Sequence, residues 1–235
     1  MNMKNTLSTI ICISLLLLGS HLHAQTPVQA YQQKAGNFAL AYTGIIEKGY
    51  RVGYVNTPYY PTDYTFGSLI YRGVPYTDVK LRNDCHTHRL IILSPDGKFN
   101  RVLSPDEVDR AVIGNTLFVY FDARQATPGE GYYAAIHEGK DFSIYKQIYV
   151  SNINKETRDR VMLQKFSLKE RLFLLKDGKW SPLSGKSSFI KHFKSHKEEL
   201  NSYCKQQQLK FGKKNESDWQ KLAEHCETLI HSAPP

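Results

Sequence analysis

Leu90-Ile91-Ile92-Leu93-Ser94-Pro95-Asp96-Gly97 decides the fold. Four β-favouring apolar residues run into a turn, where proline presets one backbone angle and glycine supplies the positive φ. The same pattern recurs outward in both directions. Arg72-Gly73, Gly114-Asn115, Glu138-Gly139 and Asp177-Gly178 separate runs such as Leu69-Ile70-Tyr71, Leu117-Phe118-Val119-Tyr120 and Leu172-Phe173-Leu174-Leu175. Short strands with turn signals at this spacing are hairpins. Residues 37–180 therefore read as a long antiparallel β-meander, either an open sheet or a partly closed barrel. Ser104-Pro105-Asp106-Glu107 breaks the pattern. A serine cap, proline at the first helical position and glutamate three after the cap predict a short helical turn with a capping box.

Beyond residue 185 the apolar period changes from two to that of a helix. Phe189, Phe193, His196, Leu200, Tyr203 and Cys204 fall on one helical face, with Lys191, Lys194, Lys197 and Glu198 around the other side. After a polar break at Gly212–Asn215, Ser217 and Gln220 read as a capping box, and Trp219, Leu222, Ala223, Cys226, Leu229 and Ile230 form a second stripe. The fold class is α+β, with a C-terminal two-helix hairpin that buries its stripes together or against the sheet. The expected division is a signal peptide over 1–24, a β-rich domain over 25–185 and a basic helical hairpin over 186–235.

The N-terminus carries the compartment. Lys4 precedes an apolar run from Leu7 to Gly19, and Ala24 stands at the expected cleavage position before Gln25. Basic start, short apolar stretch and small residue are the three parts of a secretory signal. The run is shorter than the ~20 residues that span a bilayer. Cys12 lacks the preceding small residues of a lipoprotein signal, and no later segment is apolar enough to cross. The expectation is an exported, periplasmic or secreted chain that is not a lipoprotein.

Cleavage leaves 211 residues, ample for a real core. It also leaves three cysteines, Cys85, Cys204 and Cys226, too few for a disulfide framework. Cys204 and Cys226 sit at unequal distances from the helical loop, so no bridge is expected between them. Charge is uneven, near neutral over residues 25–150 and +7 over residues 151–235. The basic surface is Lys191, Lys194, Lys197, Lys205, Lys210, Lys213 and Lys214. Such a surface attracts anionic lipid or polyanion, or simply keeps the protein soluble. Nothing points to specific nucleic-acid recognition.

Few constellations can carry chemistry. In Asp84-Cys85-His86-Thr87-His88, a strand would point Asp84, His86 and His88 to one face, as metal ligands. The same segment also reads as a polar hairpin tip. His192 and His196 have helical i, i+4 spacing, but Phe193 stands where a zinc protease has glutamate. Gly185-Lys186-Ser187 lacks the earlier glycine of a phosphate loop, because residue 180 is Trp, and a serine here better caps the helix. No Gly-x-Ser-x-Gly elbow occurs, and no motif calls for a cofactor. Tyrosine is dense early in the mature chain. Tyr54, Tyr59, Tyr60, Tyr64, Tyr71 and Tyr76 are candidates for stacking on a ligand, or for covering a broad sheet.

The stretch Gly67–Asp84, followed by Leu90–Leu93, resembles a group of uncharacterised exported proteins of Bacteroidota, and Phe193–Leu209 with Trp219–Leu229 is similar to the helical hairpin that closes those chains. The resemblance implies compartment and architecture and transfers no catalytic residue. The histidines at 86 and 88, and Cys204 and Cys226, depart from its usual pattern. The resulting expectation is a non-enzymatic binding or structural module of the cell envelope, partnered by an envelope protein or glycan. One alternative is a metal-dependent enzyme using Asp84, His86 and His88. The other is a basic protein that associates with anionic surfaces.

Overall fold

The computed structural model describes residues 26–125 and 128–232; the leader expected over residues 1–24 lies outside them. Among the described residues, twelve strands form one sheet. They are β1 (Ile45–Ile46), β2 (Tyr54–Val55), β3 (Tyr59–Tyr71), β4 (Val74–Asp84), β5 (Arg89–Leu93), β6 (Asn100–Leu103), β7 (Val108–Ile113), β8 (Thr116–Phe121), β9 (Gly131–Glu138), β10 (Phe142–Arg158), β11 (Val161–Lys176) and β12 (Lys179–Leu183). The order β1-β6-β5-β4-β3-β7-β8-β9-β10-β11-β12 is two antiparallel meanders joined through the β3–β7 pair. The sheet is not closed. Short β2 pairs in parallel with β11, carrying the chain between β1 and β3 across to the far half of the sheet.

Every turn signal in the sequence sits at a hairpin. At Arg72-Gly73 and Asp177-Gly178 both central residues have positive φ, 50° and 73° in the first and 52° and 70° in the second. These are the turns whose twist suits paired strands. The longest hairpin, β10–β11, turns on Asp159 and Arg160 at φ 50° and 65°, with no glycine to announce it. The turn at residues 105–107 forms with proline at its start, but the Ser104 side chain makes no cap bond. Glu107 instead accepts from Tyr71 and Arg72 at the end of β3.

Strand alternation separates two apolar clusters on one face of the sheet. The first spans β3 to β9 around Leu69, Leu81, Leu90, Ile92, Leu103, Phe118 and Tyr132. It is covered by Ala39, Ala41 and Tyr42, just after helix α1 (Pro27–Ala35). The second joins Phe142, Ile144, Leu172 and Leu174 of β10 and β11 to the C-terminal helices through Phe189, Phe193, Leu200, Trp219, Leu222 and Cys226. The helices thus pack on the sheet as expected. Lys146 of β10, with a side chain only 3% exposed, ties them further by an ion pair to Glu216.

The first helix of the hairpin differs from its reading. It is broken into α2 (Lys186–Ile190), a 3-10 turn at Lys194–His196, and α3 (Lys197–Gln206). Phe193 leaves helical geometry at φ −129°, ψ 56° and is buried against Phe142 and Phe189. Core packing has overridden the helical period, and His192 and His196 do not share a helix. Gly185 precedes α2, and the Ser188 hydroxyl accepts from the Gly185 N–H at 3.1 Å. The final helix, α4 (Glu216–Ser232), starts one residue before Ser217, so the expected cap residue lies inside the first turn. Cys204 and Cys226 are buried free thiols. Cys204 lies two residues before the end of α3 and Cys226 ten after the start of α4. At ~1.5 Å per residue the two differ by roughly 12 Å along the axes.

Candidate functional site

Asp84, His86 and His88 do not form a strand face. β4 ends at Asp84 and β5 begins at Arg89, so the segment between is a turn. Its closure explains the residue types. The Asp84 carboxylate accepts from the N–H groups of His86 (2.9 Å) and Thr87 (3.1 Å), the local bonding that makes aspartate a turn residue. The Cys85 N–H donates to the Pro58 carbonyl at 3.0 Å, and Val150 of β10 donates to the Cys85 carbonyl at 3.3 Å. His88 ends the turn at φ 56°.

The two histidines then part. The His86 ring lies 6.0 Å from the Tyr50 ring and 5.6 Å from the Phe166 ring. His88 packs against the backbone of Gly131, where an added Cβ would meet its Nδ1 at 2.6 Å. Burial lowers the His88 pKa, with Glu130 and Asp84 opposing that effect. Among the described residues, no group of three or more His, Cys, Asp or Glu side chains is placed to hold a metal ion. Burial and then the Asp84 charge push the Cys85 thiol far above its ordinary range, so it is not poised as a nucleophile.

What the turn does assemble is an aromatic surface. The Tyr50 hydroxyl donates to Asp84, with distances of 2.9 and 2.8 Å to its two oxygens. Burial, then the Asp84 charge, pushes the Tyr50 pKa well above normal, so this phenol stays a donor. The Tyr50 ring meets Phe166 at 5.0 Å, Tyr54 at 5.8 Å and Tyr59 at 6.0 Å, all edge-to-face. Such pairs contribute about 0.5–1.5 kcal/mol each beyond buried area. Asp84 and Phe166 are buried, whereas Tyr54 is 41% exposed and His86 is exposed. The surface thus has a rigid base and an open top. Its neighbour on β4 is Arg82, whose Cζ stands 3.6 Å from the Tyr59 ring centre and 4.2 Å from that of Tyr64. Tyr59 donates to Glu47 at 3.2 Å.

The tyrosine candidates divide accordingly. Tyr71 and Tyr76 are buried in the first core, and Tyr60 packs on it. Tyr59 is buried beneath the aromatic surface, Tyr64 flanks it, and only Tyr54 opens to solvent. Tyr50, Arg82 and Phe166 completed the surface without any local signal. Phe166 lies more than a hundred residues from Tyr50 and Tyr54 and reaches them through the β2–β11 pairing. A groove of about 1000 Å³ between α1 and β4–β5 is lined by none of the candidate site residues read from the sequence. All seven lysines of the basic surface are exposed.

No family model, no curated protein and no solved structure matches the chain.

Proposed function

We propose that this chain is an exported, non-enzymatic binding module whose contact surface is the aromatic face of Tyr50, Tyr54 and His86, with a glycan of the cell envelope as its ligand. The observation that carries this reading is the division of labour in the cluster. Asp84 is buried and fully engaged by three donors, so it braces the surface rather than offering an acid or base. The exposed ring of Tyr54 is held edge-on by Tyr50, Tyr59 and Phe166. A rigid, partly exposed ring loses little entropy on binding and suits stacking against a sugar. Export rests on the leader-like sequence over residues 1–24. The test is a glycan array probed with the protein from Gln25 onward and with a Tyr54→Ala variant. The wild type binds a subset of glycans, and the variant loses that binding while keeping the wild-type circular-dichroism spectrum, with a melting temperature lowered by the lost ring contacts. A variant that binds as well as the wild type overturns the reading.

A second reading draws on the lysines at 191, 194, 197, 205, 210, 213 and 214. All are exposed, and none forms an ion pair among the described residues. If they bind a polyanion, affinity falls steeply from low to physiological salt. Stacking on Tyr54 changes little over that range.

A further inference from the structure

Arg82 is held in a way that its structural role does not use up. Leu81 points into the first core, so its neighbour Arg82 points to the opposite face of β4. The guanidinium is sandwiched between the rings of Tyr59 and Tyr64. Its Nε is buried without a hydrogen-bond partner, and the Tyr64 hydroxyl lies against the guanidinium. Burial pushes the Tyr64 pKa up to about 12, partly offset by the Arg82 charge. Among the described residues no carboxylate forms an ion pair with Arg82. Of the acids in the cluster, Glu47 accepts from Tyr59 and from Asn100 at 3.5 Å, and Asp84 accepts from Tyr50 and the N–H groups of His86 and Thr87.

A half-buried cation without an anion is an unmet electrostatic demand. Rings on both faces of the guanidinium leave only its edge for a partner. A planar carboxylate fits that edge in the same plane, in the bidentate geometry arginine favours. The Tyr59 ring centre lies 3.6 Å from the Arg82 Cζ and 6.4 Å from the Tyr54 ring centre, so Arg82 and Tyr54 are at most 10 Å apart. An acidic sugar and its neighbour cover that span. An extended peptide beside Arg82 would need a free edge on β4, but that stretch of β4 is flanked by β3 on one side and β5 on the other.

We propose that Arg82 anchors the carboxylate of an acidic sugar whose chain stacks on Tyr54. This rests on the reading of the aromatic face as a glycan-binding surface. The test uses the chain from Gln25 onward and three probes, trigalacturonate, a hyaluronan hexasaccharide and sialyllactose, each beside its carboxyl methyl ester. The ester keeps the rings and removes the charge. The expected result is that at least one acid binds ten-fold or more tighter than its ester, and that Arg82→Gln collapses this ratio while Arg82→Lys restores only part of it. Equal affinity for acid and ester overturns the role of Arg82 and leaves the stacking surface standing. Binding of neither acid nor ester, for all three probes, overturns both. Should Arg82→Gln not fold, the acid-to-ester ratio of the wild type still decides.

Discussion

Glu216→Gln destabilises the protein by about 2 kcal/mol. The Lys146 side chain is 3% exposed, and its ammonium pairs with Glu216, lies 3.9 Å from Glu170 and sits 5.3 Å from the Tyr60 ring centre. Burial works against the charge, but the Glu216 hydrogen bond and charge outweigh it, leaving the Lys146 pKa raised. Its stabilising contribution is therefore complete below the ordinary lysine value of 10.5 and disappears as pH rises through the higher folded value. Removing one partner of a fully buried pair costs roughly 3–5 kcal/mol. Glu216 is 36% exposed and Glu170 remains, so solvent and the second carboxylate cut this to about 2 kcal/mol. About 0.5 kcal/mol of this is the loss of an acid in the first turn of α4. For a chain of this size the melting temperature falls by roughly 4–8 °C. The assay is calorimetry on Glu216→Gln, Lys146→Met and the double variant. The double variant, with no buried charge left unpaired, returns to within about 1 kcal/mol of the wild type. A Glu216→Gln variant within about 0.5 kcal/mol of the wild type, or a double variant no better than the single, refutes the reasoning.

Three further outcomes follow from packing and burial. In Gly67→Ala the new Cβ meets the Val112 backbone oxygen at 1.9 Å, so β3 and β7 must separate; thermal unfolding should show a loss of about 3 kcal/mol or more, and near-normal stability would contradict the register. Burial pushes Tyr42, Tyr64 and Tyr145 up to about 12 from an ordinary 10.0. Their neutral forms are favoured in the fold, so stability is full below pH 10 and declines as pH rises toward 12; phenolate absorbance should rise in two steps, the second with unfolding, and a single step near pH 10 would count against the burial. Protein alkylated without reduction should yield no peptide linking Cys204 to Cys226, because the two thiols sit at different heights along α3 and α4; a linked peptide would show a different helical register.

The fold was largely legible, and the reason is local. Glycine beside arginine or aspartate marks a hairpin because no other residue takes positive φ so freely, and each such pair sits where a strand reverses. The β10–β11 turn escaped because Asp159 and Arg160 take positive φ without glycine, held by the long ladder on either side. The break at Phe193 escaped because its spacing from Phe189 and Leu200 is helical, and only the packing against Phe142 shows otherwise. The site was half legible. Asp84 and His86 stood out as residue types, and of the two readings of their segment the hairpin tip holds and the strand face does not, because the carboxylate closes a turn. Tyr50, Arg82 and Phe166 carry no mutual signal, since the pairing that joins them is long-range.

The most direct test of the binding surface is a backbone chemical-shift titration with the glycan that binds best on the array. The expected shifts cluster at residues 50–59, 82–87 and around Phe166, with the lysines of α3 and the following loop unmoved. Shifts confined to residues 191–214 would place the contact on the basic helical surface and contradict the account.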